Sequence, residues 1–201
     1  MTEDIIYNPM DNAAEDERYQ LRRKRIEEPF ENEYTALPSK SNTFLCPFGN
    51  YRLCIIPYKT KENCWNYTKG IIFDKSDEKL FVIYRNYPSF LFQWIEHKNG
   101  NEYLLCGEDY QGYVCLNLTE KKKHVYFHKW AFNGDCFCWI EIEEYNKEYD
   151  NNIIVHGCGW GDPYEIIEYD FSEPDKLPYK EISCKFEDMG EDDDFDDEEE
   201  N

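Results

Sequence analysis

Phe92-Gln93-Trp94-Ile95-Glu96 returns 45 residues later as Phe137-Cys138-Trp139-Ile140-Glu141. The residues downstream follow suit. Asn101–Gly107 (NEYLLCG) parallels Asn151–Gly157 (NNIIVHG), and Tyr113 parallels Tyr164, each opening a further apolar run. The offset drifts from 45 to 50 to 51, which places insertions at Tyr145–Asp150 and at the Gly161 turn. Turns are where an antiparallel repeat tolerates extra residues. Each copy reads as one unit: a Phe-x-Trp-Ile-Glu strand, a polar turn, an apolar strand closing on Gly, a turn, and a third strand. A less regular copy precedes them, with Gly70–Phe73, a Lys75–Glu78 turn and Leu80–Tyr84. A period near 40 to 50 residues with about four short strands per unit is the pattern of a propeller blade.

The texture holds from Phe44 to Phe186. Short apolar runs (Arg52–Ile56, Leu80–Tyr84, Glu102–Cys106, Tyr113–Leu118, Asn152–Val155, Glu165–Phe171) alternate with turns such as Lys75-Ser76-Asp77, Asn99-Gly100-Asn101, Asn133-Gly134-Asp135 and Gly161-Asp162-Pro163. That spacing predicts an all-β, antiparallel meander with two blade-like repeats and a third less regular one, propeller-like or sandwich-like. The aromatic content of 17% is too high for a disordered chain and suits pleated surfaces. No gap reads as a helix, so parallel βαβ units are not expected. Roughly 140 residues make about three blades, whereas a closed ring takes four to eight. The expectation is a sandwich built from the same meanders, an oligomer that completes the ring, or edges covered by the N-terminal arm.

Two stretches carry a resemblance. Tyr103–Leu118 and Phe137–Pro178 resemble WD-repeat-like segments of uncharacterised bacterial and viral proteins. The most specific part is Gly157-Cys158-Gly159-Trp160 with Pro163-Tyr164-Glu165-Ile166 and Tyr169-Asp170-Phe171-Ser172. The resemblance implies blade-like antiparallel sheets and no assigned activity. The Trp-Asp dipeptide of the WD pattern is absent.

Three regions are expected: a polar arm at 1–43, the β-rich domain at 44–186 and an acidic tail at 187–201. In the arm, Asp11 is placed to cap a helix that Pro29 should stop, with Arg22-Arg23-Lys24-Arg25 as a solvated, cation-bearing end or a nuclear-targeting patch. Its apolar positions (Ala14, Tyr19, Leu21, Ile26) make a poor stripe, so only loose docking is expected. The tail holds 11 acids and no base, and without it the other 186 residues carry 32 acids against 22 bases. Such a block is expected to be disordered, and either to keep the chain soluble by charge repulsion or to engage or shield a basic partner.

A net charge of −21 opposes phosphate binding, so neither nucleic acid nor an anionic membrane is an expected partner. It favours a basic protein, captured by Asp192, Asp193, Asp194, Asp196, Asp197, Glu198, Glu199 and Glu200. No apolar stretch approaches a membrane span, and Met1-Thr2-Glu3-Asp4 lacks the start of a secretory signal. The nine cysteines then read as thiols in a reducing cytoplasmic or nuclear compartment, with the matches at Asn66 and Asn117 to the glycosylation pattern taken as chance. Lys-, Asn-, Ile- and Tyr-rich usage points to an AT-rich genome such as that of a protist or large DNA virus, and the incomplete ring brings a virion component into the expectations.

For chemistry, Cys136-x-Cys138 and His156-x-Cys158 place ligands two apart on strands, a spacing that points both side chains to one face and allows a tetrahedral zinc site. The alternative is that these thiols simply pack. Glu108-Asp109, and Glu96 with Glu141, are the acid–base candidates, set against solvated turn residues. His128 or His156 beside a thiol would make a nucleophilic pair, though no local motif supports one. No phosphate loop, dinucleotide fingerprint, zinc-protease or hydrolase motif occurs, so no cofactor is expected. Tyr110, Tyr113, Trp160 and Tyr164 are expected to cluster at one end of the sheets, either packed as core under the loops or exposed as a recognition surface. The reading favours a non-enzymatic interaction protein. The alternatives are a small zinc-dependent or acid–base enzyme and a subunit of a larger assembly, homo-oligomeric or virion-like.

Overall fold

A computed structural model describes residues 11–61, 65–109, 111–134, 137–143, 145, 151–159 and 162–186. Among the described residues, one α-helix, α1 (Glu17–Asn32), precedes thirteen strands and two short 3-10 turns. The first sheet holds β1 (Thr35–Ala36), β2 (Asn42–Leu45), β3 (Tyr51–Lys59), β4 (Tyr67–Asp74) and β5 (Lys79–Arg85). The second holds β6 (Phe92–Glu96), β7 (Glu102–Gly107), β8 (Tyr113–Asn117) and β9 (Lys122–Tyr126). The third holds β10 (Cys138–Ile142), β11 (Asn152–Cys158), β12 (Tyr164–Asp170) and β13 (Lys180–Phe186). All pairings are antiparallel. In the second and third sheets every strand neighbours the next in the chain, so the all-β meander expected from the repeat is what forms.

The repeat has a packing meaning. Trp94 of β6 packs into a core with Leu53, Ile55, Ile72 and Ile83 of the first sheet. Trp139 of β10, its repeat partner, packs into a second core with Tyr103, Leu105 and Tyr113 of the second sheet. Each indole therefore faces the sheet that comes before it. The next residue in the first copy, Ile95, faces the sheet that follows. The second sheet is thus buried on both faces, and β8 is buried along its whole length. In the second core Tyr113 stacks on Trp139 at 4.1 Å and on Tyr179 at 5.3 Å, and its hydroxyl accepts the Tyr179 N–H.

The helix departs from expectation at both ends. It starts at Glu17, capped by Asp16, whose carboxylate accepts the Arg18 N–H at 2.8 Å. Pro29 does not stop it. The helix runs one turn further because Phe30 is buried among Tyr34, Tyr58 and Tyr84, with ring centroids 4.9–5.4 Å apart. Burying a phenylalanine offsets the roughly 3 kcal/mol that an interior proline costs. Docking is tight, because Tyr19, Arg23 and Phe30 are all buried.

The segment before the helix is fastened to the second sheet. The Asn12 amide donates to the Val125 carbonyl, its oxygen accepts the Phe127 N–H, and the Ala13 N–H donates to the Phe127 carbonyl. The other end of the helix is fastened to the first sheet through Phe30 and through Glu31, which accepts from Lys69 at 2.8 Å and from the Tyr84 hydroxyl at 3.1 Å.

Two outcomes follow. Phe30→Ala should lower stability by about 3–5 kcal/mol in urea unfolding, by transfer loss plus the cavity left under the tyrosines. The hydrogen bonds from Lys69 and Tyr84 hold the Glu31 carboxyl below the ordinary glutamate value. Its contribution is therefore present above that ordinary value and lost as pH falls through the lowered one. Glu31→Gln should lower the urea midpoint at pH 7 and lose that difference in acid; an equal difference at both pH values would contradict it.

Candidate functional site

The turn between β7 and β8 carries Glu108 and Asp109, which are 0% and 1% exposed. The sequence placed them in a solvated turn, with Arg22 and Arg23 on a solvated helix end. The structure buries all of this chemistry together. Each acid meets a different arginine of the same helix. The Glu108 Oε1 accepts from Arg23 Nε at 2.9 Å and from the Tyr19 hydroxyl. Arg23 Nη2 reaches Glu27 at 3.0 Å and the Tyr84 carbonyl of β5 at 3.1 Å. Asp109 Oδ2 accepts from Arg22 at 2.8 Å, and its Oδ1 accepts the Gln111 N–H at 2.7 Å.

A third arginine completes the set. Arg85 at the end of β5 is 2% exposed, and it donates through Nε and Nη2 to the Asp109 carbonyl at 3.2 and 2.9 Å and through Nη1 to Ser89 at 3.0 Å. Gly107 makes room for it, since a Cβ there would lie 2.8 Å from the guanidinium carbon. Gly112 closes the turn at φ +85°, where a side chain would be strained and its Cβ would meet the Tyr126 carbonyl at 2.6 Å.

The electrostatics suit a fastening rather than a reaction. Burial raises the Tyr19 hydroxyl far above its ordinary value, and the Glu108 charge adds to the effect. Burial raises the Asp109 carboxyl, with Arg22 pulling the other way, and burial lowers Arg85. Both carboxylates face arginines and are sealed from solvent, while Glu108 Oε2 and Arg23 Nη1 are buried without a hydrogen-bond partner among the described residues. The other acid pair is split between sheets: Glu96 lies across from Glu102, and Glu141 across from His156.

The other candidates divide. Cys138 lies directly across from Cys158, as neighbouring strands were expected to place them. His156 sits opposite Glu141, and its Nε2 lies 2.7 Å from Glu143 Oε1. Cys136 lies outside the described residues. Among the described residues, no three His, Cys, Asp or Glu side chains come together as a metal-holding group. The thiols Cys46, Cys106, Cys115 and Cys138 are buried; burial pushes Cys106 up to about 12 and Cys115 higher still, which leaves those two poor nucleophiles. His128 is also buried, its Nδ1 accepting the Trp130 N–H.

Of the loop-tip aromatics, Tyr164 is exposed at 43%. Tyr113 is corrected to the core: it is 4% exposed, because Trp139 and Tyr179 sandwich its ring. Tyr110 and Trp160 lie outside the described residues, as do all eight tail acids from Asp192 to Glu200.

Sequence reasoning missed β13. Its residues alternate lysine, glutamate, serine and cysteine with Ile182 and Phe186, so no apolar period shows. Ile182 is 49% and Phe186 68% exposed, and among the described residues the strand pairs with β12 alone. The neighbouring signal was that Phe186 leads straight into the acid block.

Among known proteins, the chain is 34% identical over 144 residues to an uncharacterised protein of Acanthamoeba polyphaga mimivirus. The alignment covers 69% of this chain and 55% of that protein, so the chain spans about half the length of the relative it matches. No family model matches the chain, WD repeats included, and no solved structure matches it. No described helix is long and apolar enough to cross a membrane.

The buried cluster makes a checkable claim. Glu108→Ala removes the buried partner of Arg23 and of the Tyr19 hydroxyl, leaving Arg23 only the more exposed Glu27 as counter-ion, and should cost about 3 kcal/mol in urea unfolding. Replacing both partners, Arg23→Met with Glu108→Leu, should be milder than Glu108→Ala alone, because no charge is then stranded. Simple additivity of the two losses would contradict the pairing.

Proposed function

We propose that the chain is a non-enzymatic protein-interaction module whose acidic C-terminal segment engages a basic protein partner. The observation that supports this most is β13. It is an edge strand exposed along nearly its whole length, and it passes directly into Glu187–Asn201 with its 11 acids. Open backbone groups with Ile182 and Phe186 beside them suit an added strand or an apolar anchor. The acids beyond supply long-range attraction for a Lys- or Arg-rich chain. Glu108 and Asp109 are consumed internally, which leaves the C-terminal block as the densest charge a partner can meet. The buried free thiols fit a reducing compartment, cytoplasmic or nuclear.

The finer reading of the fold belongs with this proposal: the three meanders are blades of a propeller-type arc, stacked in chain order. On the face of the first sheet turned away from the second, Cys54, Ile71 and Val82 lie in register and half-exposed. A further blade or a second copy would cover them. This row favours a second reading, as a subunit of a larger assembly.

The test compares the native chain with a full-length variant in which Asp192, Asp193, Asp194, Asp196 and Asp197 are all asparagine. Basic proteins should be retained from lysate by the native chain, released by moderate salt, and not held by the variant. Equal capture by both would remove the acids from the account.

A further inference from the structure

We infer that a groove on the outward side of α1 holds the chain's own acidic C-terminal segment. The groove encloses about 470 Å³, with Arg18, Arg22 and Arg25 around Leu21, Ile26 and Phe132. No carboxylate of the described residues lines it. In a chain of net charge −21, three arginines gathered around an apolar floor are out of keeping with the rest of the surface.

Two of the three are already fixed in place. The Arg18 guanidinium lies 4.6 Å from the Phe132 ring centroid and pairs with Asp16. Arg22 lies 5.4 Å from the Phe127 centroid while it holds Asp109. Arg25 makes no ion pair or hydrogen bond among the described residues. Leu21 is 49% exposed on the groove floor. Pre-positioned cations with one uncommitted arginine and an open apolar surface fit an anionic peptide that carries a single apolar side chain.

The chain contains that peptide. Asp192-Asp193-Asp194-Phe195-Asp196-Asp197 sets one aromatic among five aspartates. Phe195 would enter against Leu21, Ile26 and Phe132, and the flanking aspartates would meet the arginines.

The topology favours the segment of the same molecule. Phe186 pairs with Glu165, at the end of the third sheet where the turn from Cys158 to Tyr164 lies. That turn is the repeat equivalent of the one from Gly107 to Tyr113, on which α1 is seated through Arg22 and Asp109. Neighbouring sheets pack about 10 Å apart. The nine residues from Phe186 to Phe195 span up to about 30 Å. The groove therefore competes with a basic partner for the same acids, and a partner must displace the segment before it binds. This step is separable from partner capture, since it is read with no partner present.

The test uses the full chain with Phe195 replaced by a benzophenone-bearing amino acid, irradiated alone and mapped by peptide mass spectrometry. Crosslinks to Leu21, Arg25, Ile26 or Phe132 on monomer-sized protein are expected, with a yield unchanged by tenfold dilution. The yield should fall about fivefold in Arg25→Glu, a surface change that leaves the buried cluster intact, and also in about 0.5 M salt. Crosslinks elsewhere in the chain, none at all, or crosslinks confined to dimers that vanish on dilution would each overturn the proposal.

Discussion

Everything in this architecture leans on the burial of Glu108 against Arg23 and Tyr19. A carboxylate removed from water needs a cation and hydrogen bonds in place of its hydration, and here one helix supplies both to Glu108 Oε1. Arg23 also donates to the Tyr84 carbonyl of β5, so a single side chain ties the helix to two sheets. Asp109 repeats the arrangement one residue on: its side chain is held by Arg22 and its carbonyl by Arg85 of β5. Two acids side by side thus hold one helix through their side chains and the end of β5 through the Asp109 carbonyl.

That fastening answers the problem a three-sheet stack creates. The central sheet is covered on both faces, but the first sheet has only one neighbouring sheet. The arm runs from Asn12, fixed to Val125 of the second sheet and to Phe127 just beyond it, through helix α1 to Phe30 and Glu31, fixed to tyrosines and Lys69 of the first sheet. It acts as a strap across two sheets whose own contact is the core around Trp94. The third sheet is held differently, by the Tyr113–Trp139–Tyr179 stack and by Asp175, which accepts from Asn117 at 3.1 Å and from the Tyr103 hydroxyl at 3.1 Å.

The strands were legible because the Phe-x-Trp-Ile-Glu unit repeats and because turns fall between apolar runs. The structure adds why the tryptophan recurs: in each copy it faces the preceding sheet. Three things stayed hidden. The helix face could not be read, because one of its buried positions is Arg23, which any apolar count assigns to solvent. Glu108 and Asp109 looked like turn residues, since their burial depends on a partner 85 or more residues away. Strand β13 was invisible because an edge exposed on both faces has no reason to alternate. Tyr113 was misplaced for the opposite reason: the repeat pairs it with Tyr164, yet the central sheet is covered on both faces where the third sheet is not. Of the candidate site, the sequence showed the acidic block plainly and gave no sign of the arginine groove, which exists only once Phe132 comes beneath α1.

Native-state hydrogen exchange is the most direct check on the central claim. The account predicts that amides in the middle of α1, around Arg23, exchange only in the same cooperative opening as those of β7 and β8, with matching free energies and matching denaturant dependence. Exchange of the helix by local fraying, well below the stability of the central sheet, would show that the buried Glu108–Arg23 pair does not bind arm and sheets into one unit.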